Sequence, residues 1–140
     1  MNLFDDEEFH RRFDQAEHTL EPAQRDLSDG DYGWSCFKAQ QAREYALKGL
    51  LYGLGKMAFG CSTVALLEVL VESGIEVEEA LKGITRRSDR HYIPTRYANA
   101  YSADNPFRYY DEEDAQQAVD GAKGIVDFVS ASREQLSKGD

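Results

Sequence analysis

One long run of helical spacing constrains the fold of this chain more than any other feature. Apolar residues recur every three or four positions at Ala115, Ala118, Val119, Ala122, Ile125, Val126 and Val129. Because an α-helix has about 3.6 residues per turn, this spacing places them on one face. The acidic residues at 111–114 precede the run, where the positive end of the helix dipole favours negative charge. Residues 112–136 are therefore predicted to form a helix that buries one face against other helices.

Shorter segments also show helical spacing, and the sequence contains no competing strand pattern. These further predicted helices cover about residues 5–27, 32–54, 63–72 and 77–88. Pro22 predicts a kink in the first of them or an early end near Leu20. Asp31 and Ser62 are the predicted N-caps of the second and third helices. The predicted fold is all-α, an up-and-down bundle of about five helices in a single domain over residues 1–140, with a polar tail after about residue 136.

Helical spacing also predicts which side chains face the core. The predicted core includes Trp34 and Phe37 on the second helix, Val64, Leu67 and Val71 on the third, and Val77, Ala80, Leu81 and Ile84 on the fourth. Cys36 and Cys61 form no CxxC pair and are predicted to be buried, reduced thiols. His10, Asp14 and His18 are spaced like half of a metal site, but nothing completes the ligand set. No metal and no cofactor are therefore expected.

Residues 92–110 show no clear periodicity, although they contain five tyrosines and two prolines. Loops longer than about 12–15 residues are usually functional or disordered. The aromatic residues favour order, because aromatic side chains are scarce in disordered segments. The sequence therefore predicts a long ordered loop between the fourth and fifth helices.

The charge of the chain is strongly negative but unevenly distributed. A net charge of −10 argues against broad coating of nucleic acid or of an anionic membrane surface. Between residues 86 and 108, however, five arginines stand against two acidic residues. An anion-binding site is therefore predicted in this part of the chain.

No apolar run is long enough to cross a bilayer, so no membrane association is expected. The N-terminal residues 1–8 are acidic and lack the basic and apolar regions of a signal peptide. A cytoplasmic location is the resulting expectation.

Two long motifs resemble a known family. They read WSCFKAQQAREYALKGLL over residues 34–51 and YIPTRY over residues 92–97. In this order, and with this succession of helices, they resemble the HEPN domain in its small stand-alone prokaryotic form, over about residues 9–136. Relatives of this form often have Gly-His-Ser where this chain has Gly60-Cys61-Ser62, and Arg-Tyr-Pro-Asp where it has residues 96–99, Arg-Tyr-Ala-Asn.

The resemblance implies a helical domain that dimerises and binds a nucleotide or RNA. It also implies a partner, because many such proteins act with a minimal nucleotidyltransferase as a toxin–antitoxin pair. Some members are metal-independent ribonucleases, in which an Arg is followed after four to six residues by a His. Arg86 and His91 match that spacing in this chain. In such a pair, His moves protons and Arg stabilises charge on the phosphate.

The predicted ligand-binding residues are Arg90, Tyr92, Arg96 and Tyr97. Arginine can bind a phosphate bidentately, and tyrosine rings can stack on bases. A structural interpretation remains open for the same residues, since Arg96 can instead pair with Asp89 or Glu44, and the tyrosines can cap the core.

The first functional hypothesis is therefore a nucleotide- or RNA-binding module that forms a homodimer and partners a nucleotidyltransferase. The first alternative is a metal-independent endoribonuclease that uses Arg86 and His91. The second alternative is a structural partner subunit without a ligand.

Overall fold

The computed structural model describes residues 4–58, 60, 62–89 and 110–138. Within them the chain forms α1 (Asp6–Ser28), α2 (Tyr32–Gly53), α3 (Thr63–Glu72), α4 (Glu79–Asp89) and α5 (Glu112–Lys138). These residues contain no strand, which confirms the all-α prediction. The predicted ordered loop at 92–110 lies outside the described residues except for Tyr110.

The ends of the helices follow local hydrogen bonds. Asp5 caps α1, because its carboxylate accepts a hydrogen bond from the N–H of Glu8 at 3.1 Å. Ser62 caps α3 as predicted, since its hydroxyl accepts from the N–H of Ala65 at 3.2 Å. Asp31 occupies the N-cap position of α2, but its side chain makes no capping hydrogen bond. The two predicted caps are thus correct in position, and one of them is correct in function.

Helix α1 continues through Pro22 to Ser28, so the early end near Leu20 is wrong. Proline removes one hydrogen bond from a helix interior, and tertiary contacts must offset that loss. Here Ala23 is fully buried, and the hydroxyl of Ser35 on α2 donates a hydrogen bond to the Ala23 carbonyl at 2.7 Å. Packing against α2 therefore holds α1 together on the C-terminal side of its proline.

The core lies between α1, α2 and α5, with α3 and α4 against one end. Its larger cluster is built from bulky side chains such as Phe9, Phe13, Leu47, Leu50, Leu70 and Ile125. Its smaller cluster contains Ala23, Ala39, Ala42, Ala115, Ala118 and Ala122. The whole predicted stripe of α5 is buried, which confirms that prediction. Alanine side chains let the helix backbones approach closely, so α2 and α5 pack tightly beside the end of α4.

Three predicted core residues are exposed instead. Trp34 is 44% exposed because Gly33, Ser35 and Cys36 occupy the inner face of the first turns of α2. Val71 is 42% exposed, since Leu66, Leu67 and Leu70 form the buried face of α3. Ala80 is exposed because α4 begins at Glu79 rather than Val77, and its buried residues are Thr85 and Ser88.

Within the described residues, no helix is both long enough and apolar enough to cross a membrane.

Candidate anion-binding site

The structure describes only one of the predicted site residues. Arg86 lies in the last turn of α4 with its side chain exposed. Arg90, His91, Tyr92, Arg96 and Tyr97 lie outside the described residues. The proposed approach of Arg86 to His91 therefore stays a prediction. The structure does describe the end of α4, to which residues 90–109 are joined. It shows the contacts that fix this end and the charges on its surface.

Two exposed cations stand side by side at this end of α4. Arg86 and Arg87 are both exposed, and both lie in the last turn, where positive charge complements the helix dipole. None of the acidic side chains in the described part of the chain forms an ion pair with either. In a protein with a net charge of −10, two such arginines form a local surface that an anion can bind.

Asp89, the last residue of α4, holds the N-terminus of α3. Its carboxylate accepts hydrogen bonds from the backbone N–H groups of Thr63 at 3.0 Å and Val64 at 3.1 Å. It also accepts from the hydroxyl of Ser62 at 2.9 Å and from that of Thr63. These N–H groups have no partner inside their own helix, and the positive end of α3 favours the negative charge. Asp89 thus fixes the end of α4 against the start of α3.

Arg43, on α2, contacts the same end of α4 from inside the bundle. It is almost fully buried in α2, and its guanidinium donates to the carbonyls of Ser88 at 3.4 Å and Ala118 at 3.5 Å. Burial lowers the pKa of Arg43 to about 10, an effect that the negative charge of Asp89 partly offsets. The side chain therefore remains a cation at neutral pH. It joins α2, α4 and α5 at the point where the arginine-rich stretch begins.

The sequence motifs predict neither Arg43 nor Asp89 as an anchor of α4. Arg43 carries a signal, because it lies four residues after Ala39 and four before Leu47, on the buried face of α2. A charge on an apolar helical face points to a buried polar contact. The sequence predicts Asp89 only as a partner for Arg96, and nothing local predicts that it caps a helix 26 residues earlier in the chain.

Two grooves flank the outer end of α4. The α3/α4 groove, of about 320 Å³, has Val64, Leu67 and Val71 in its apolar wall and Glu68, Glu72 and Arg86 among its charged residues. The α4/α5 groove, of about 260 Å³, is lined by Ile84, Arg87, Ser88, Gln117, Asp120 and Gly121. One arginine thus borders each groove, and the ridge of α4 separates them.

The remaining candidates have structural partners. Glu44 and Lys48 form an ion pair of 2.8 Å along α2. His10 contacts Asp14 at 3.3 Å, while the described residues contain no cluster that could hold a metal ion.

Cys36 is a free, buried thiol, as predicted, whereas Cys61 lies outside the described residues. Burial, more than the nearby Asp114, raises the pKa of Cys36 to about 12, which keeps the thiol neutral and unreactive.

Comparison with known proteins identifies the family. The HEPN domain model matches residues 9–135 of this sequence. The chain belongs to the HEPN family. Among curated proteins, none matches it.

Solved structures of other HEPN proteins share the fold. The crystal structure of TT1696 from Thermus thermophilus is 41% identical, covers 94% of this chain and 99% of its own, and superposes with a TM-score of 0.84. The archaeal HEPN homologue ST0689 is 32% identical over 88% of this chain and 95% of its own, with a TM-score of 0.73. A HEPN domain protein from Thermotoga maritima is 31% identical over 91% and 98%, with a TM-score of 0.69.

For the HEPN chain described here, the match covers α4 and both of the residues that anchor its end. It also covers residues 90–109, which carry the predicted ligand-binding residues. The family therefore accounts for the helical bundle, while the role of the arginines depends on their surroundings.

Proposed function

We propose that this HEPN chain is a nucleotide- or RNA-binding module whose phosphate-binding surface begins at the C-terminal end of α4. The observation that carries the proposal is the pair Arg86 and Arg87, exposed and without an acidic partner in the described residues. Guanidinium groups bind phosphate oxygens through charge-assisted hydrogen bonds. A pair that is not already neutralised can make those bonds without first breaking an internal ion pair.

The anchoring of α4 supports the same proposal. Asp89 and Arg43 hold the last turn of α4 against three other helices. A rigid support lowers the entropic cost of binding, because fewer groups become ordered on contact with the ligand. In the proposal, Arg90 and Arg96 contribute further phosphate contacts, and Tyr92 and Tyr97 stack on bases.

Binding of labelled single-stranded RNA and of nucleotides, measured by fluorescence anisotropy at several salt concentrations, tests the proposal. We expect Arg96→Ala to weaken RNA binding and to reduce the salt slope by about 0.7, because it removes one phosphate-binding charge. Arg11→Ala is the matched control, because it removes the same charge from an exposed site on α1. A wild-type chain that binds neither RNA nor nucleotides would contradict the proposal and favour the structural partner subunit.

Ribonuclease activity is the second candidate, and Arg86 favours it, because this residue is exposed and has no acidic partner among the described residues. In that mechanism His91 would take the proton of the 2′-hydroxyl, the 2′-oxygen would attack the adjacent phosphorus, and Arg86 would stabilise the charge on the phosphate. The bond from phosphorus to the 5′-oxygen breaks, the 5′-oxygen takes a proton from His91 or water, and a 2′,3′-cyclic phosphate remains. We expect cleavage to persist in EDTA and to be lost in His91→Ala. Intact RNA after prolonged incubation with the wild-type chain would leave the binding module as the better proposal.

The family also suggests partners. We propose that the chain forms a homodimer and acts with a minimal nucleotidyltransferase in a toxin–antitoxin-type pair. Static light scattering at micromolar concentration tests the dimer, and co-purification with a co-expressed minimal nucleotidyltransferase tests the second partner. A monomer mass, or separate elution of the two proteins, would contradict the respective proposal.

A further inference from the structure

A glycine lies beneath the two arginines on the outer face of α4. A methyl group placed on Gly83 would lie 3.5 Å from Nη1 of Arg87 and 3.7 Å from Nη2 of Arg86. Both guanidinium groups therefore approach the same point, directly above a residue without a side chain. We call this arrangement of Gly83, Arg86 and Arg87 the Gly83 notch.

The spacing of the three residues explains the geometry. Arg86 and Arg87 follow Gly83 by three and four positions, which places all three on one side of the helix. Side chains in a helix lean toward its N-terminus, so both arginines extend back over the preceding turn. The glycine at the centre of that turn leaves room for their guanidinium groups.

The fold itself does not require glycine at this position. A methyl group on Gly49 would meet the Phe9 carbonyl oxygen at 3.2 Å, and one on Gly121 would meet Cγ2 of Ile84 at 2.9 Å. At Gly83, by contrast, the nearest atoms are the two guanidinium nitrogens, at ordinary contact distance. Glycine inside a helix is less stable than alanine, so its presence here calls for a reason other than packing.

The charges around the notch favour an anion between the arginines. Two positive charges repel each other, and an anion between them offsets that repulsion because it attracts both. Of the acidic residues on α4, Asp89 is bound to the N-terminus of α3, and Glu79 pairs with Lys82 at 3.2 Å. In the α3/α4 groove Glu68 and Glu72 offset Lys82 and Arg86, and in the α4/α5 groove Asp120 offsets Arg87, so neither groove has an excess of positive charge. The ridge of α4 between the two grooves is therefore the favourable position for an anion.

We infer that the Gly83 notch is a phosphate-binding site. In it, Arg86 and Arg87 each donate hydrogen bonds to oxygens of one phosphate group, which approaches the helix over Gly83. The inference deepens the proposed function and rests on it for the source of the phosphate, which is a nucleotide or an RNA strand. It adds Arg87 and Gly83, neither of which the arginine–histidine spacing includes.

Two variants and a matched control test the notch. Gly83→Ala fills the space beneath the arginines and should keep the fold, because the new methyl group makes only ordinary contacts. Arg86→Gln combined with Arg87→Gln removes both charges. Gly124→Ala is the control, since it adds the same methyl group within a helix, 3.8 Å from Cδ1 of Leu81 and in contact with neither arginine. Thermal melting should show all three folded, with Gly83→Ala at least as stable as the wild type.

Binding is measured with three probes: pyrophosphate by amide chemical shifts, and a nucleoside triphosphate and single-stranded RNA by anisotropy. We expect pyrophosphate to shift the amide signals of the notch. The double glutamine variant should weaken binding of pyrophosphate and of one or both larger probes about tenfold or more, because it removes charge-assisted hydrogen bonds. Gly83→Ala should weaken it about threefold or more, since one added methyl group changes such contacts modestly. Gly124→Ala should bind like the wild type.

The outcomes separate the notch from the proposed function. If RNA or the nucleotide binds equally well to all variants, the notch is wrong and the binding surface does not begin at Arg86 and Arg87, while nucleotide or RNA binding by this chain stands. If pyrophosphate shifts the amide signals of the notch but neither the nucleoside triphosphate nor the RNA binds, the notch stands and the proposed function is wrong. If none of the three probes binds, both are wrong. Shifts spread over many basic residues and insensitive to Gly83→Ala would show nonspecific attraction and overturn the notch.

Discussion

The inner and outer sides of α4 use arginine in opposite ways. On the inner side, Arg43 is buried and donates to the carbonyls of Ser88 and Ala118. On the outer side, Arg86 and Arg87 are exposed and have no acidic partner in the residues that the structure describes. The same guanidinium group thus fixes the helix from within and leaves its surface charged. Position, and not residue type, decides whether an arginine stabilises the bundle or is available to a ligand.

The inner arrangement carries an energetic cost that the outer one avoids. A buried charge loses its hydration, and only hydrogen bonds and opposite charges can offset that loss. Arg43 has two main-chain carbonyls and the field of Asp89, yet burial still lowers its pKa to about 10. Replacing buried and exposed arginines should therefore have very different effects on stability.

The largest effect is expected for Arg43→Ala. This change leaves a cavity and removes the hydrogen-bond donors of two carbonyl groups, so we expect a loss of about 3–5 kcal/mol in the free energy of unfolding. Urea denaturation measures it. Arg86→Ala is the matched control on the outer side and should change stability by less than about 0.5 kcal/mol. Equal effects of the two substitutions would remove the contrast between the two sides of α4.

Arg43→Met separates packing from charge. Methionine fills much of the volume without a polar group, and such replacements of buried ions are often well tolerated. A loss much smaller than that of Arg43→Ala would show that filling the space matters more than the charge.

A second test compares two aspartates at helix N-termini. Asp89→Ala removes the acceptor for Thr63 and Val64 at the start of α3, and we expect a loss of about 2 kcal/mol. Asp31→Ala is the control, because Asp31 occupies the N-cap position of α2 without a capping hydrogen bond. It should cost little. Urea denaturation of both variants measures the difference, and a larger loss for Asp31→Ala would contradict it.

The two aspartates also show which helix caps local sequence can predict and which it cannot. Periodicity predicted all five described helices, and the boundaries of α3 agreed with the structure, because helices and their caps are specified by neighbouring residues. Local sequence indicated Asp31 and Ser62 as caps but could not indicate that Asp89 completes the cap of α3. That contact depends on how α3 and α4 pack, which no short motif encodes.

The candidate site was less predictable than the fold for the same reason. The clustering of arginines pointed to residues 86–108, and Arg86 is indeed exposed there. The convergence of Arg86 and Arg87 over Gly83 depends on side-chain directions, which the sequence does not specify. Trp34 shows the opposite error, since apolar character alone suggested burial for a residue that is 44% exposed.

A smaller effect is expected from the thiol that lies near Arg43. The pKa of Cys36 rises from 9.0 to about 12 in the folded chain, mainly through burial. Above about pH 9 the unfolded thiol therefore loses its proton while the folded one keeps it, and stability falls as pH rises. Between about pH 8 and pH 10 we expect a loss of about 1.4 kcal/mol that is absent in Cys36→Ala.

The window should stop near pH 10, because Arg43 acts with the opposite sign above it. Its folded pKa of about 10 lies below the value of 12.5 for a free arginine, so further deprotonation favours the folded state. Urea denaturation of the wild type and Cys36→Ala is therefore compared between about pH 8 and pH 10, because above this range the thiolate and Arg43 affect each other's titration. Parallel pH profiles would show that Cys36 does not titrate differently on folding.

The smallest effect should come from a third environment for arginine, an ion pair at the surface. Arg133 on α5 pairs with Asp6 on α1 at 2.7 Å, and Asp6 is 58% exposed. Exposed ion pairs contribute about 0.2–1 kcal/mol and are screened by salt. Asp6→Asn and Arg133→Gln, alone and together, form a double-mutant cycle that isolates this pair from the helix dipole and from packing. Because the interaction is exposed, we expect its coupling energy to approach zero in about 1 M salt. A coupling energy above about 2 kcal/mol that persists in salt would contradict this expectation. It would mean that an ion pair at the surface can stabilise the fold as much as a buried arginine does.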